Sequence, residues 1–101
     1  MNQGKQRVAV VGAGISGLAA AHQLSTSDED LDITVFEASG KLGGVLQTEH
    51  VDGFCLELGP DSVLSRLPWG VGLFNRVGMA DELINTSDKQ QGVYVVHQGR
   101  L

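Results

Sequence analysis

At 101 residues, with 42% hydrophobic and 19% charged residues, the chain has room for one small globular domain at most. A net charge of −5 without a basic stripe argues against a nucleic-acid partner, and one cysteine, Cys55, excludes a disulfide framework, while His22, His50 and His97 are too scattered to form a metal set. No run approaches the ~20 apolar residues of a membrane span, and no signal peptide is legible, so a cytoplasmic setting is expected.

Residues 1–6 are a polar lead-in. Residues 7–11 read as a strand, because Val8, Ala9, Val10 and Val11 are small or β-branched, as in a strand buried on both faces. Gly12-Ala13-Gly14-Ile15-Ser16-Gly17 follows and fits G-x-G-x-x-G. The three glycines serve different physical ends. Gly12 permits the tight turn, Gly14 lets a pyrophosphate approach the backbone, and Gly17 lets the next helix pack closely. The free N–H groups at the start of that helix, together with its dipole, favour phosphate. A helix is predicted over 15–24, with Ile15, Leu18, Ala19 and His22 on one side and the alanines 19–21 allowing close contact with a sheet. The polar loop 25–30, with Asp28-Glu29-Asp30, reads as a solvated turn. A second strand over 32–36 ends at Glu37, where a carboxylate about twenty residues after the last glycine accepts hydrogen bonds from ribose hydroxyls. Strand, helix and strand make a βαβ unit with parallel strands, and a right-handed one is expected. An acid at position 37 argues against a 2′-phosphate and so against NADP.

The pair Gly43-Gly44 serves either a close approach to a ligand or a plain turn; spacing does not decide between them. Residues 45–50 look extended, Asp52-Gly53 is a type I′ hairpin signal, and 54–58 alternate as the return strand. Cys55 reads as a strand residue, with nothing nearby to lower its pKa. Gly59-Pro60-Asp61-Ser62 breaks the strand. Over 63–85 the chain is helical in tendency, with Pro68, Gly70, Gly72 and Gly78 limiting helix length and Gly78 suited to a C-cap. Trp69, Leu73, Phe74 and Val77 form an apolar stripe of the kind that usually packs in a core. Ala80 opens another short helical turn. Residues 86–91 are a polar link, 92–97 alternate as a strand, and Gln98-Gly99 is a hairpin turn whose returning strand would begin at Arg100. Two parallel strands and two hairpin pieces leave sheet edges open and little buried surface, so the chain is expected to be an N-terminal part of something larger.

The run VAVVGAGISGLAAAHQL, then Glu37-Ala38, then KLGGVLQT and DGFCLELGPDS, resembles the N-terminus of the flavin amine oxidase superfamily. The ELGP string, the GMADELI segment and VYVVHQGRL extend the likeness along nearly the whole chain, toward the protoporphyrinogen oxidase family within it. The resemblance implies an α/β fold, an incomplete Rossmann-like FAD-binding domain, followed by β-hairpins and short helices. It implies FAD as cofactor, with Gly12, Ala13, Gly14, Ile15, Ser16 and Gly17 around the pyrophosphate and Glu37 at the adenosine ribose with Ala38 beside it. Gly44 and Val45 would run along the middle of the cofactor, and Gly59, Pro60, Asp61 and Ser62 would lie near the flavin. Lys41 stands where the family carries a basic residue. The implied activity is oxidation of protoporphyrinogen IX to protoporphyrin IX in heme biosynthesis, with oxygen as acceptor. The substrate is then a small molecule, and any peripheral membrane contact of a full-length protein would fall to regions beyond this chain.

The substrate domain and the C-terminal segment that completes the family's FAD site are not within these residues, so turnover by this chain alone is not expected. No catalytic acid or base is nominated. Val45 stands where amine oxidases mostly have arginine, which weighs against that branch. An amine oxidase or carotenoid desaturase, a dinucleotide-binding module without catalysis and an NAD-dependent dehydrogenase stay open as alternatives. The glycine pair after Glu37, where a nicotinamide domain would enter a helix, speaks against the dehydrogenase.

Overall fold

The computed structural model describes residues 4–89, 92 and 94–101. The chain divides into two units, Met1–Val63 and Leu64–Leu101. In the first, β1 (Gln6–Val11) leads through α1 (Ile15–Ser25) to β2 (Leu31–Phe36), and the antiparallel pair β3 (Thr48–Val51) and β4 (Phe54–Glu57) follows. In the second, α2 (Pro68–Arg76) precedes a single 3-10 turn, Ala80–Glu82.

β1 and β2 are parallel and in continuous register from Gln6 opposite Leu31 to Val11 opposite Phe36. The connection has to travel back along the sheet to achieve this, and the alanine-rich α1 does so while covering one face. Val8, Val10, Leu31, Ile33 and Val35 are the half-buried positions of the two strands, and Ala9, Val11, Thr34 and Phe36 point the other way into the open. The expectation of a strand buried on both faces is therefore corrected: Val11 is 86% exposed, because these residues supply a helix to one face of the sheet only. On α1, Leu18, Ala19 and His22 of the face read in the sequence are half-buried, with Gly17, Ala21 and Leu24 beside them, whereas Ile15 at the helix start and Ala20 are exposed. In the loop before β2, Asp30 pairs with Lys5 at 2.8 Å; both side chains are largely exposed.

The hairpin follows its turn chemistry. Asp52 and Gly53 have φ of 50° and 81°, the two positive values a type I′ turn requires. Its register, Thr48 opposite Glu57 and Val51 opposite Phe54, puts Thr48 within 2.8 Å of the Glu57 carboxylate. The extension expected from residue 45 is shorter, since Val45 lies in a turn that the Leu46 amide closes onto the Gly43 carbonyl at 3.1 Å.

In the second unit Pro68 starts α2 rather than limiting it, since a first helical residue needs no N–H partner and proline's φ suits it. Gly70 and Gly72 lie inside the helix, where each weakens it by about 0.5–1 kcal/mol relative to alanine without forbidding it. Gly78 takes φ of 75° just past the helix, and the Met79 and Gly78 amides donate to Phe74 and Asn75, a Schellman ending. Of the apolar stripe only Leu73 and Phe74 are half-buried; Trp69 is 73% exposed. The second expected hairpin contracts to one antiparallel bridge between His97 and Arg100 around Gln98-Gly99. Tyr94, Val95 and Val96 lie outside any strand among the described residues and are exposed. The remainder of the predicted strand and link, at 90, 91 and 93, lies outside the described residues, as do 1–3.

Candidate functional site

Val11 and Phe36 end their strands side by side, and the chain leaves each at the same edge of the sheet. Gly12 turns away with φ of 93° while its amide donates to the Phe36 carbonyl at 2.7 Å. Ala13 follows and is wholly buried, the one fully buried apolar residue among the described residues. Gly14 is the N-cap of α1, whose first turn has no side-chain cap and no acidic residue. An uncapped start leaves first-turn N–H groups and the positive end of the dipole available to an anion.

The glycine spacing has a steric cause. A Cβ on Gly17 would stand 1.9 Å from the Gly12 carbonyl oxygen and 3.5 Å from Val10, so the helix starts tightly against the turn that precedes it. Gly14 is different: nothing but the Gly44 Cα, at 3.9 Å, approaches its missing side chain. The packing constraint at Gly17 and the clear space at Gly14 are the two different uses of glycine that the sequence pattern predicts.

Glu37 crosses from the end of β2 to the glycine turn. Its Oε2 accepts the Ala13 amide at 2.7 Å, and its Oε1 accepts both the Ser39 amide and the Ser39 hydroxyl at 2.8 Å. The Ser39 amide, then the Ala13 amide, then the Ser39 hydroxyl hold the Glu37 carboxyl down at about 2, so it is ionised at neutral pH. Glu37 itself is half-buried, with Ala38 exposed beside it. A carboxylate depressed below its unfolded value of roughly 4.3 contributes stability that is complete above about pH 5 and fades as pH falls through 4 toward 2. Denaturation midpoints measured over that acid range should fall more steeply for the native protein than for Glu37→Gln, and the two curves should converge at the lowest pH.

The glycine pair docks on the same turn. The Gly43 amide donates to the Ala13 carbonyl at 2.8 Å, and Gly43 and Gly44 take φ of 96° and 61°. A Cβ on Gly44 would sit 3.1 Å from the Gly14 Cα. The pair is thus a fixed turn against the glycine loop. Beyond it, a Cβ on Gly59 would stand 1.9 Å from the Val45 carbonyl oxygen, and the Leu58 amide donates to Gln47 at 2.8 Å. Gly59 therefore holds the end of β4 against the 43–45 turn. Replacing it by alanine should displace that turn and lower stability by about 1–3 kcal/mol, the usual cost of overpacking, read as a shift in denaturant midpoint.

The structure thus brings together Gly12 to Gly17, Glu37 and Gly44, and joins Val45 to Gly59. Pro60, Asp61 and Ser62 are exposed, and no hydrogen bond among the described residues ties them to the glycine loop. The Lys41 side chain is exposed. Sequence reasoning does not find Ser39 or the Ala13–Glu37 bond. A serine two residues after the acid, within a turn, is the available signal for the first. Among the described residues no group of three acidic, histidine or cysteine side chains is placed to hold a metal ion, and no helix is long and apolar enough to cross a membrane.

Comparison with known proteins places this geometry among flavin-dependent enzymes. Residues 15–101 match the family model described as flavin containing amine oxidoreductase. The chain is 37% identical over 86% of its length to coproporphyrinogen III oxidase of Staphylococcus aureus, of which it covers 19%. It is 37% identical over 93% of its length to protoporphyrinogen oxidase 2, chloroplastic/mitochondrial, of Arabidopsis thaliana, of which it covers 18%. Among solved structures, a protein of Exiguobacterium sp. 255-15 provisionally named a protoporphyrinogen oxidase superposes with a TM-score of 0.70 at 40% identity, over 77% of this chain and 17% of that one. The chain spans about a fifth of the length of the curated relatives it matches.

Proposed function

The chain belongs to the flavin containing amine oxidoreductase family, and from that premise we propose that it is the N-terminal part of the FAD-binding domain of an enzyme that oxidises a porphyrinogen to the corresponding porphyrin, with oxygen as electron acceptor. The observation that carries the cofactor assignment is the ionised Glu37 fixed to the Ala13 amide beside an uncapped helix start. The two lie in one small region, which supports reading them as a ribose acceptor beside a pyrophosphate cradle.

The residues fit an adenine dinucleotide. The open side of Gly14 admits phosphate oxygens, the first turn of α1 supplies N–H donors, and Glu37 accepts from ribose. The negative charge on Glu37 disfavours a 2′-phosphate by repulsion, which supports FAD over a cofactor bearing that group. The rigid Gly43-Gly44 turn supports an extended dinucleotide passing along it, with Val45 next in line. The flavin, when bound, supplies the two-electron acceptor for the oxidation. What these residues contribute is binding and orientation of its adenosine and pyrophosphate half.

The porphyrinogen assignment rests on the names of the relatives. Coproporphyrinogen III and protoporphyrinogen IX share the reduced macrocycle and differ in peripheral propionate and vinyl groups, so both belong in the assay. The test is to incubate the protein of full natural length, purified with its flavin, with each porphyrinogen under air and to follow porphyrin fluorescence and oxygen uptake. Porphyrin formation above the flavin-free control supports the reading. Oxidation of primary amines without porphyrin formation would move the protein to the amine oxidase branch.

A further inference from the structure

Ser39 links more of the loop after β2 than any other side chain there. Its amide and hydroxyl both donate to Glu37 Oε1 at 2.8 Å, and its hydroxyl oxygen accepts the Lys41 amide at 3.3 Å. The hydroxyl has one proton, and the carboxylate, which is nearer than the Lys41 carbonyl at 3.1 Å, is the stronger acceptor. A carboxylate offers about four lone-pair positions. The Ala13 amide and the two Ser39 donors fill three of them, which leaves the open position on Oε2, beside the glycine turn.

We propose that Ser39 is a positioning residue for cofactor recognition: by engaging Glu37 Oε1 it fixes the carboxylate rotamer and directs Oε2 to both the Ala13 amide and a single hydroxyl of the cofactor's ribose. This rests on the flavin reading above and adds to it a residue and a stoichiometry. Without the Ser39 hydroxyl, Oε1 keeps only the Ser39 amide, the carboxylate rotamer is held less firmly, and more of its alignment with the Ala13 amide must be organised at the moment of binding. Pre-organisation of this kind is returned as affinity.

Two measurements on the protein of full natural length test it. In the first, the Glu37 carboxyl is titrated by carbon-13 NMR in flavin-free protein, for the native residue, Ser39→Ala and Ser39→Thr. In the second, dissociation constants for FAD and for ADP are measured for the same three. Ser39→Ala should raise the Glu37 titration midpoint and weaken FAD and ADP alike by about five- to tenfold, the size of one hydrogen bond to a charged group. Ser39→Thr, which keeps the hydroxyl, should restore both. An unchanged Glu37 titration, or an FAD affinity in Ser39→Ala equal to the native one, overturns the inference. If the native protein binds no FAD while Ser39→Ala still moves the Glu37 midpoint, the flavin reading and the recognition role fall, and only the Ser39–Glu37 coupling stands.

Discussion

Gly17→Ala is expected to abolish tight flavin binding. The added methyl would sit 1.9 Å from the Gly12 carbonyl oxygen and 3.0 Å from its carbon. Both are backbone atoms, so no side chain can swing aside. Either α1 withdraws from β1 or the Gly12 turn opens, and each change moves Gly14 and the helix start away from the place where phosphate would be held. Overpacking against backbone costs about 3 kcal/mol or more; taken wholly from binding, that is on the order of a hundredfold in Kd. Flavin content after purification, with circular dichroism to show that the chain is folded, reads the effect. Gly53→Ala is the control, because nothing lies within 4 Å of its added Cβ and its φ of 81° strains only the hairpin tip. That variant should retain its flavin.

Glu37→Gln carries the second large effect. Glutamine is nearly isosteric but uncharged, and one end of its amide is a donor. It accepts from either Ser39 or Ala13 with its oxygen and turns its NH2 toward the other, so one of the amides that now meet an oxygen at 2.7–2.8 Å is left facing a donor. FAD affinity should fall by about tenfold or more, as for loss of a charge-assisted hydrogen bond. Because the native carboxyl titrates at about 2, affinity of the native protein should be flat from pH 5 to 8 as far as this group is concerned. A Kd for FAD that varied tenfold across that interval through Glu37 would contradict the assignment.

Features set by backbone chemistry are the ones legible in the sequence. Gly17 and Gly12 meet because G-x-G-x-x-G states a steric relation between near neighbours. Asp52-Gly53 states a pair of dihedral angles, and Gly78 states a helix ending. Each is decided within a few residues. The second hairpin is not, because alternation in 92–97 describes a residue pattern without supplying the partner strand, and here pairing stops at His97 and Arg100. Pro68 misleads because the same residue that breaks a helix interior starts a helix well, and only the position of the first turn tells which. The two faces of β1 cannot be told apart by composition, since Val8 and Val11 are the same residue in different surroundings.

At the site, the identities of the glycines and of Glu37 are legible and the contacts among them are not. That Glu37 meets the Ala13 amide depends on β1 and β2 ending in register, Val11 beside Phe36, which is a tertiary fact. The placement of Gly44 against Gly14 likewise depends on a long-range bond from the Gly43 amide to the Ala13 carbonyl. It turns a pair of glycines with two readings into a fixed turn on the glycine loop.

The most direct test of the central claim is a titration of flavin-free protein with FAD, followed by quenching of flavin fluorescence, with ADP, FMN and NAD as competitors. If the glycine loop and Glu37 hold adenosine and pyrophosphate, saturable FAD binding that ADP displaces and FMN does not is the predicted result, with NAD, which carries the same ADP half and no flavin, displacing FAD no better than ADP does. Displacement by FMN but not ADP would place recognition outside the glycine loop and Glu37, and NAD binding in preference to FAD would contradict the flavin assignment itself.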